Sequence, residues 1–205
     1  ENGDYIYLAS QNNNTIFKYK TSRQYDILGV ENAFDINADT SEGTPRAVEL
    51  VDGGTKLYVA GNDTNSIHYF TLSNPYDVES ASFESSFNTS TYTSDLSAIA
   101  VIDSGSTIVV GDRNSDELYE FDLNTNYDLS TASHNQTVSV SADIEVWGLS
   151  IVNDGSKMFI ADRNNQELIE YDLQTDYDVS SNLLVNNQNI GSQFGDIRGL
   201  TVSPD

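Results

Sequence analysis

Four positions spaced about fifty residues apart, Arg46, Ser97, Trp147 and Arg198, hold the side chains of this chain best suited to gripping a small ligand. Each stands just before an aliphatic run, in a column that differs from copy to copy while its neighbours repeat. Trp147 is the only tryptophan, and two of the nine basic residues share its column in a chain with 32 Asp and Glu. An indole face beside guanidinium donors suits a sugar ring or a carboxylate. The same residues also fit a structural role, with the indole plugging a narrow channel and the arginines pairing with carboxylates such as Glu49.

Two identical pairs, Asp112-Arg113 and Asp162-Arg163, open polar loops that extend this set as a rim for hydroxyl-rich ligands, or serve as turn formers with a local salt bridge. Asp35, Asn37 and Asp39 have the spacing of the first three oxygen ligands of a calcium loop. That loop lacks glycine at its sixth position and has Arg46 at its twelfth, so an outer strand with exposed carboxylates is the competing reading. No cofactor is assigned, and calcium is the one these residues leave open. His68 and His134 fall in different columns, and His68 shares its column with Phe17, Tyr119 and Ile169, which points to packing. No nucleophile elbow, phosphate loop or metal-spaced histidine pair is present, and no catalytic residue is assigned.

The net charge of −23 sets the company this surface keeps. It repels phosphate backbones and anionic lipid, so nucleic acid and membrane surfaces are poor partners, whereas divalent cations and saline surroundings suit it. The absence of cysteine removes disulfides, thiolate catalysis and cysteine-held zinc. No apolar run approaches a membrane span. A chain starting at Glu1 reads as processed or excised from something longer, and its wealth of Asn, Ser, Thr and Asp suits a secreted or cell-surface protein.

The elements that must position these residues follow from the repeat. Val48 to Ala60, Ile99 to Gly111 and Leu149 to Ala161 align, and a fourth copy forms when Gly199 to Asp205 is read on into Glu1 to Ala9. Short β-branched and aromatic stretches separated by Asp-Gly turns give four antiparallel strands per copy: about Ala47 to Val51, Lys56 to Ala60, Ser66 to Leu72, and an outer strand within Ser82 to Thr91. This predicts an all-β, four-bladed β-propeller in a single domain, 1–205. Its blades are 198–205 plus 1–44, then 45–95, 96–145 and 146–197, with the ring closed by both termini in one blade, Arg198 to Val202 pairing with the N-terminal strands. Recurring Tyr-Asp pairs, at Tyr25, Tyr76, Tyr127 and Tyr177, read as an Asp cap on a one-turn segment and a Tyr packed between blades. The third-strand quartets, such as Ile67 to Phe70, place two large apolar residues three apart, which a bulge would explain.

The motif Gly-Leu-x-(Val/Ile)-x-x-Asp-Gly-x-x-(Met/Leu)-(Phe/Tyr)-(Val/Ile)-Ala-Asp, clearest from Gly148 to Asp162, resembles the repeats of NHL-like and YVTN-like β-propellers over nearly the whole chain. That resemblance implies the propeller and leaves function open among lectins, scaffolds, hydrolases and surface proteins. Gluconolactonase-like and phytase-like relatives imply calcium held by channel carboxylates; here those columns carry Ala, Gly, Ser and Thr, with Glu49 the one carboxylate. The expected function is therefore non-catalytic binding or adhesion outside the cell, with a glycan or protein ligand at the channel mouth. The alternatives are a calcium-dependent hydrolase or lactonase, and a structural module of a surface or virion assembly within a larger multidomain chain.

Overall fold

Every repeat folds as one antiparallel sheet of consecutive strands. β-branched and aromatic residues fill inner strands that are buried on both faces, as in Lys56–Gly61 and Thr107–Asp112; an outer strand such as Ala132–Ser139 alternates with period two, and the turns carry the residues a tight reversal needs. A computed structural model of the chain describes residues 5–21, 27–35, 40–152, 154–193 and 197–202. The first sheet contains β1 (Tyr5–Ser10), β2 (Thr15–Thr21) and β3 (Ile27–Asp35); the second β4 (Pro45–Val51), β5 (Lys56–Gly61), β6 (Ser66–Leu72) and β7 (Ala81–Asn88). The third holds β8 (Leu96–Ile102), β9 (Thr107–Asp112), β10 (Glu117–Leu123) and β11 (Ala132–Ser139). The fourth holds β12 (Val146–Ile151), β13 (Lys157–Asp162), β14 (Glu167–Leu173) and β15 (Asn182–Asn189). The protein is all-β, and the sheets are the blades of a four-bladed β-propeller. The chain divides into two compact units, 1–88 with the first two sheets and 89–205 with the other two. Among the described residues, no helix is long and apolar enough to cross a membrane.

The turn between the first two strands explains the Tyr-Asp pairs. Gly105 has φ +80°, a conformation that penalises any side chain, and a Cβ there would run into the Tyr127 ring. The Tyr127 N–H donates to the Gly105 carbonyl at 2.7 Å, and Tyr76 on Gly54 and Tyr177 on Gly155 repeat the contact at 2.8 and 2.9 Å. Tyr thus packs on a turn of its own sheet, since only a residue without Cβ lets the ring lie there, and Tyr177 also packs against the core shared by the third and fourth sheets; Tyr25 and Asp26 lie outside the described residues. The Asp half behaves as expected: Asp77, Asp128 and Asp178 each accept the N–H two residues on and cap a one-turn helix.

Two kinds of β-bulge recur. In all four sheets the outermost described strand carries an extra residue opposite the same point of its neighbour, between Lys18/Tyr19, Tyr69/Phe70, Glu120/Phe121 and Glu170/Tyr171. The third strand itself is regular, so Ile67 and Phe70 lie on opposite faces, and both are fully buried because each face is covered. The other bulge sits at the start of β4, β8 and β12, where the unpaired residue is Arg46, Ser97 or Trp147. The column singled out in the sequence is thus a row of bulged residues, re-aimed from the ladder.

In the 1–88 unit, Ile16, Leu57, Val59, Phe70, Leu72 and Val78 form a hydrophobic core, with Phe34 and Phe70 edge to face at 5.2 Å. In the 89–205 unit the core joins the third and fourth sheets through Val109, Leu118, Val146, Met158, Ile160 and Tyr171. Each fully buried large side chain contributes about 1.5–3 kcal/mol.

The chain's end lies in the 89–205 unit, and the first sheet has three strands among the described residues. Arg198 to Val202 runs along β12: the Val202 N–H donates to Ser150 Oγ at 3.2 Å, and a Cβ on Gly148 would sit 2.8 Å from the Leu200 nitrogen. Gly148 is what allows that approach.

Candidate functional site

The site in the 89–205 unit is built on two buried carboxylates that end second strands. Asp112, at the end of β9, accepts the Thr93 hydroxyl at 2.6 Å and the Ser94 N–H at 2.9 Å, and Asn114 donates its N–H to the other oxygen. Asp162, at the end of β13, accepts the N–H groups of Glu145 and Asn164, each at 2.9 Å, and the Asn165 side-chain amide at 2.8 Å. Both are buried, and these two members of the expected rim act as loop anchors. Their work is to fix the loops from which Arg113 and Arg163 extend.

Those two arginines converge with Arg198 on one indole. The guanidinium carbons of Arg113, Arg163 and Arg198 lie 5.3, 5.1 and 5.2 Å from the Trp147 ring centroid. A guanidinium at this range gains about 0.5–2 kcal/mol from the ring quadrupole. Crowding of three like charges is offset by two carboxylates: Arg113 pairs with Asp95, and Arg163 Nη1 lies 3.2 Å from Glu145 Oε2. The same Glu145 oxygen accepts the Trp147 indole N–H at 2.9 Å, and Asn114 Nδ2 donates to Asp95 at 2.9 Å. A third of the nine basic residues of a −23 chain is thereby held at one place.

Access falls to the arginines. Trp147 is 4% exposed, so the indole is the floor of the cluster and offers no free face for a stacked sugar. Arg198 is exposed, and Arg113, Arg163 and Glu145 are each about a third exposed at their side chains. Ser97 is fully buried and its hydroxyl points to the carbonyls of Gly111 and Val146, joining β8 to β9 and β12 rather than completing a ring of ligand contacts. Arg46 is the partly buried bulge of β4 in the other unit. Asp35 is exposed at the end of β3, whereas Asn37 and Asp39 lie outside the described residues.

The anchoring position shows what the sequence reading missed. Asp112 and Asp162 align with Gly61, which has no side chain to hold its loop, and Glu42 reaches into the space that a Cβ on Gly61 would need. Glu42 Oε1 accepts the N–H groups of Thr44 and Asp63 at 2.8 and 3.0 Å; Oε2 accepts the Thr64 N–H at 3.1 Å and its hydroxyl at 2.7 Å. Burial raises the cost of its charge, but bonds from His68, Thr64 and Thr44 outweigh it and hold its pKa at about 2. His68 is buried among polar partners, not in the apolar packing expected of it, its Nε2 lying 3.6 Å from Glu42 Oε2. The signal available in the sequence was the glycine standing where two other copies have Asp. His134 does pack, stacked on Tyr92 at 4.4 Å.

No protein-family profile and no curated protein sequence matches the chain. Solved structures resemble it at low identity. A protein of Bacteroides uniformis provisionally named 6-phosphogluconolactonase matches with TM-score 0.57 and 15% identity over 91% of this chain and 54% of its own. One of Bacteroides fragilis, with the same provisional name, matches with 0.57 and 15% over 93% and 56%. The periplasmic gluconolactonase of Pseudomonas aeruginosa matches with 0.59 and 11% over 92% and 55%. The chain thus spans about half the length of these structures. These three neighbours carry lactonase names, which corrects the expectation of a non-catalytic adhesion propeller in favour of its lactonase alternative.

Proposed function

We propose that this chain carries the hydrolytic site of a lactonase acting on the lactone of a sugar acid, with the Trp147 arginine cluster as the place of reaction. The observation that supports this most is the convergence of three guanidiniums within 5.1–5.3 Å of one indole, beside a partly exposed carboxylate. Arginine donors suit the lactone carbonyl, the oxyanion that forms from it, the carboxylate of the product and any phosphate on the sugar.

Glu145 is the candidate base. Its Oε2 is fixed by Trp147 and Arg163, which orients the carboxylate and leaves Oε1 outside those bonds. A water on Oε1 attacks the lactone carbonyl carbon and gives its proton to Glu145; as the new C–O bond forms, the C=O π pair moves onto the carbonyl oxygen, and when that oxyanion collapses the ring C–O bond breaks. The proton passes to the departing ring oxygen, giving a hydroxy acid whose carboxylate faces Arg198.

Calcium held by channel carboxylates, which the repeat resemblance implies, does not fit the donors present. Those columns offer Glu49 alone, and among the described residues no three His, Cys, Asp or Glu side chains are grouped to hold a metal ion. The mechanism therefore runs through side chains only. Placement outside the cytoplasm belongs to the same proposal and draws support from the periplasmic neighbour of Pseudomonas aeruginosa.

The test is hydrolysis of glucono-δ-lactone and its 6-phosphate, followed by proton release. Arg198→Ala and Glu145→Gln should each lower kcat/KM at least tenfold with unchanged unfolding. A rate equal to spontaneous ring opening for both lactones would end the proposal.

A further inference from the structure

We infer that Ser86, in the 1–88 unit, is an activated nucleophile that can take an acyl group from an activated ester and pass it to water. The proposal is independent of the lactonase site. Ser86 stands on β7 directly opposite His68 on β6, and cross-strand partners share a face of the sheet. Its Oγ lies 2.8 Å from His68 Nδ1. Ser86 is exposed, whereas His68 is 1% exposed, so a buried base meets a hydroxyl that substrate can reach.

The direction of the bonds follows from the carboxylate. An ionised carboxylate only accepts, so the Thr64 hydroxyl proton, 2.7 Å from Glu42 Oε2, is donated to it. The Thr64 oxygen must then accept at its 3.1 Å contact with His68 Nε2, which fixes the proton on Nε2. Nδ1 is left bare and accepts from Ser86. The result is a one-way relay, Ser86 to His68 to Thr64 to Glu42, with the imidazole in the tautomer that a general base needs.

Two departures from the repeat meet here. Glu42 replaces the anchoring Asp of two other copies, and His68 stands where Phe17, Tyr119 and Ile169 stand elsewhere; opposite those, in place of Ser86, are Ala33, Thr137 and Asn187. Packing alone would be served better by the apolar residues, since burying a histidine against a carboxylate carries a desolvation cost.

In the reaction, Ser86 Oγ bonds to the ester carbonyl carbon while its proton moves to His68 Nδ1. The C–O bond to the leaving alkoxide breaks, and that proton passes to the alkoxide oxygen. Water repeats the sequence on the acyl-serine, releasing the acid. While protonated, His68 is positive 3.6 Å from the Glu42 carboxylate, which stabilises it.

The experiment treats the whole chain with a fluorophosphonate probe, followed by intact mass and peptide mapping. One adduct is expected, on Ser86. Ser86→Ala should abolish it with unchanged melting and unchanged lactone hydrolysis, and Ser85→Ala should label at the parent rate. His68→Gln and Thr64→Val should each slow labelling at least tenfold; Thr64→Val keeps the shape of the side chain and serves if His68→Gln fails to fold. No adduct above that on heat-unfolded chain, adducts spread over several serines, or an undiminished rate in Thr64→Val would overturn the proposal.

Discussion

Replacing Glu42 by Gln should make part of the chain's stability independent of acid. In the folded chain the carboxyl of Glu42 titrates at about 2, against 4.5 for the ordinary group. The difference of about 2.5 units corresponds to about 3 kcal/mol, at about 1.36 kcal/mol per unit. Because the folded value is the lower one, this stability is complete above pH 4.5, falls as pH drops, and is gone near pH 2. At pH 3 about 1.4 kcal/mol should remain. Full burial of Glu42 means that solvent does not screen these bonds. The assay is urea unfolding of parent and Glu42→Gln from pH 7 to 3, since their difference cancels every other carboxylate. The gap should be about 3 kcal/mol or more at pH 7, because the amide also cannot accept from all four donors, and should narrow below pH 4.5. A gap that stays flat from pH 5 to 3, or widens, would refute the reasoning.

Other consequences are open to simple tests. Gly105→Ala meets both a positive φ and the Tyr127 ring and should cost about 2–4 kcal/mol, whereas Gly53→Ala, at φ +64° with nothing within 4 Å, should cost about 1 kcal/mol; equal losses in thermal unfolding would contradict the turn analysis. Burial raises the pKa of Glu120, so its charge opposes folding at neutral pH; Glu120→Gln should raise Tm at pH 7, with the gain shrinking as pH falls through the carboxyl range. If calcium binds through Asp35, Asn37 and Asp39, millimolar calcium raises Tm in the parent and not in Asp39→Ala; equal responses would remove that site.

The fold was legible because it is written several times over. Asp-Gly turns, alternating strands and the Tyr-Asp caps recur, so each copy corroborates the others, and observed strands differ from the expected limits by one or two residues, as at β4 and β5. What escaped was whatever happens once. Glu42 lies outside the repeat frame, and its role shows only through the missing side chain of Gly61 in space. Similarly, Arg113 and Arg163 read as a polar rim, but their convergence on Trp147 depends on a bulge that turns the indole toward them. Burial of that indole is a property of packing with no signature in residue type, so a stacking platform and a floor look alike in sequence.

The most direct measurement is proton release from 6-phosphoglucono-δ-lactone by the purified chain, compared with Arg198→Ala under the same conditions. The account predicts hydrolysis well above the spontaneous rate in the parent and at least a tenfold loss of kcat/KM in the variant, with both proteins unfolding alike. Parent and variant hydrolysing the lactone at one and the same rate would contradict it.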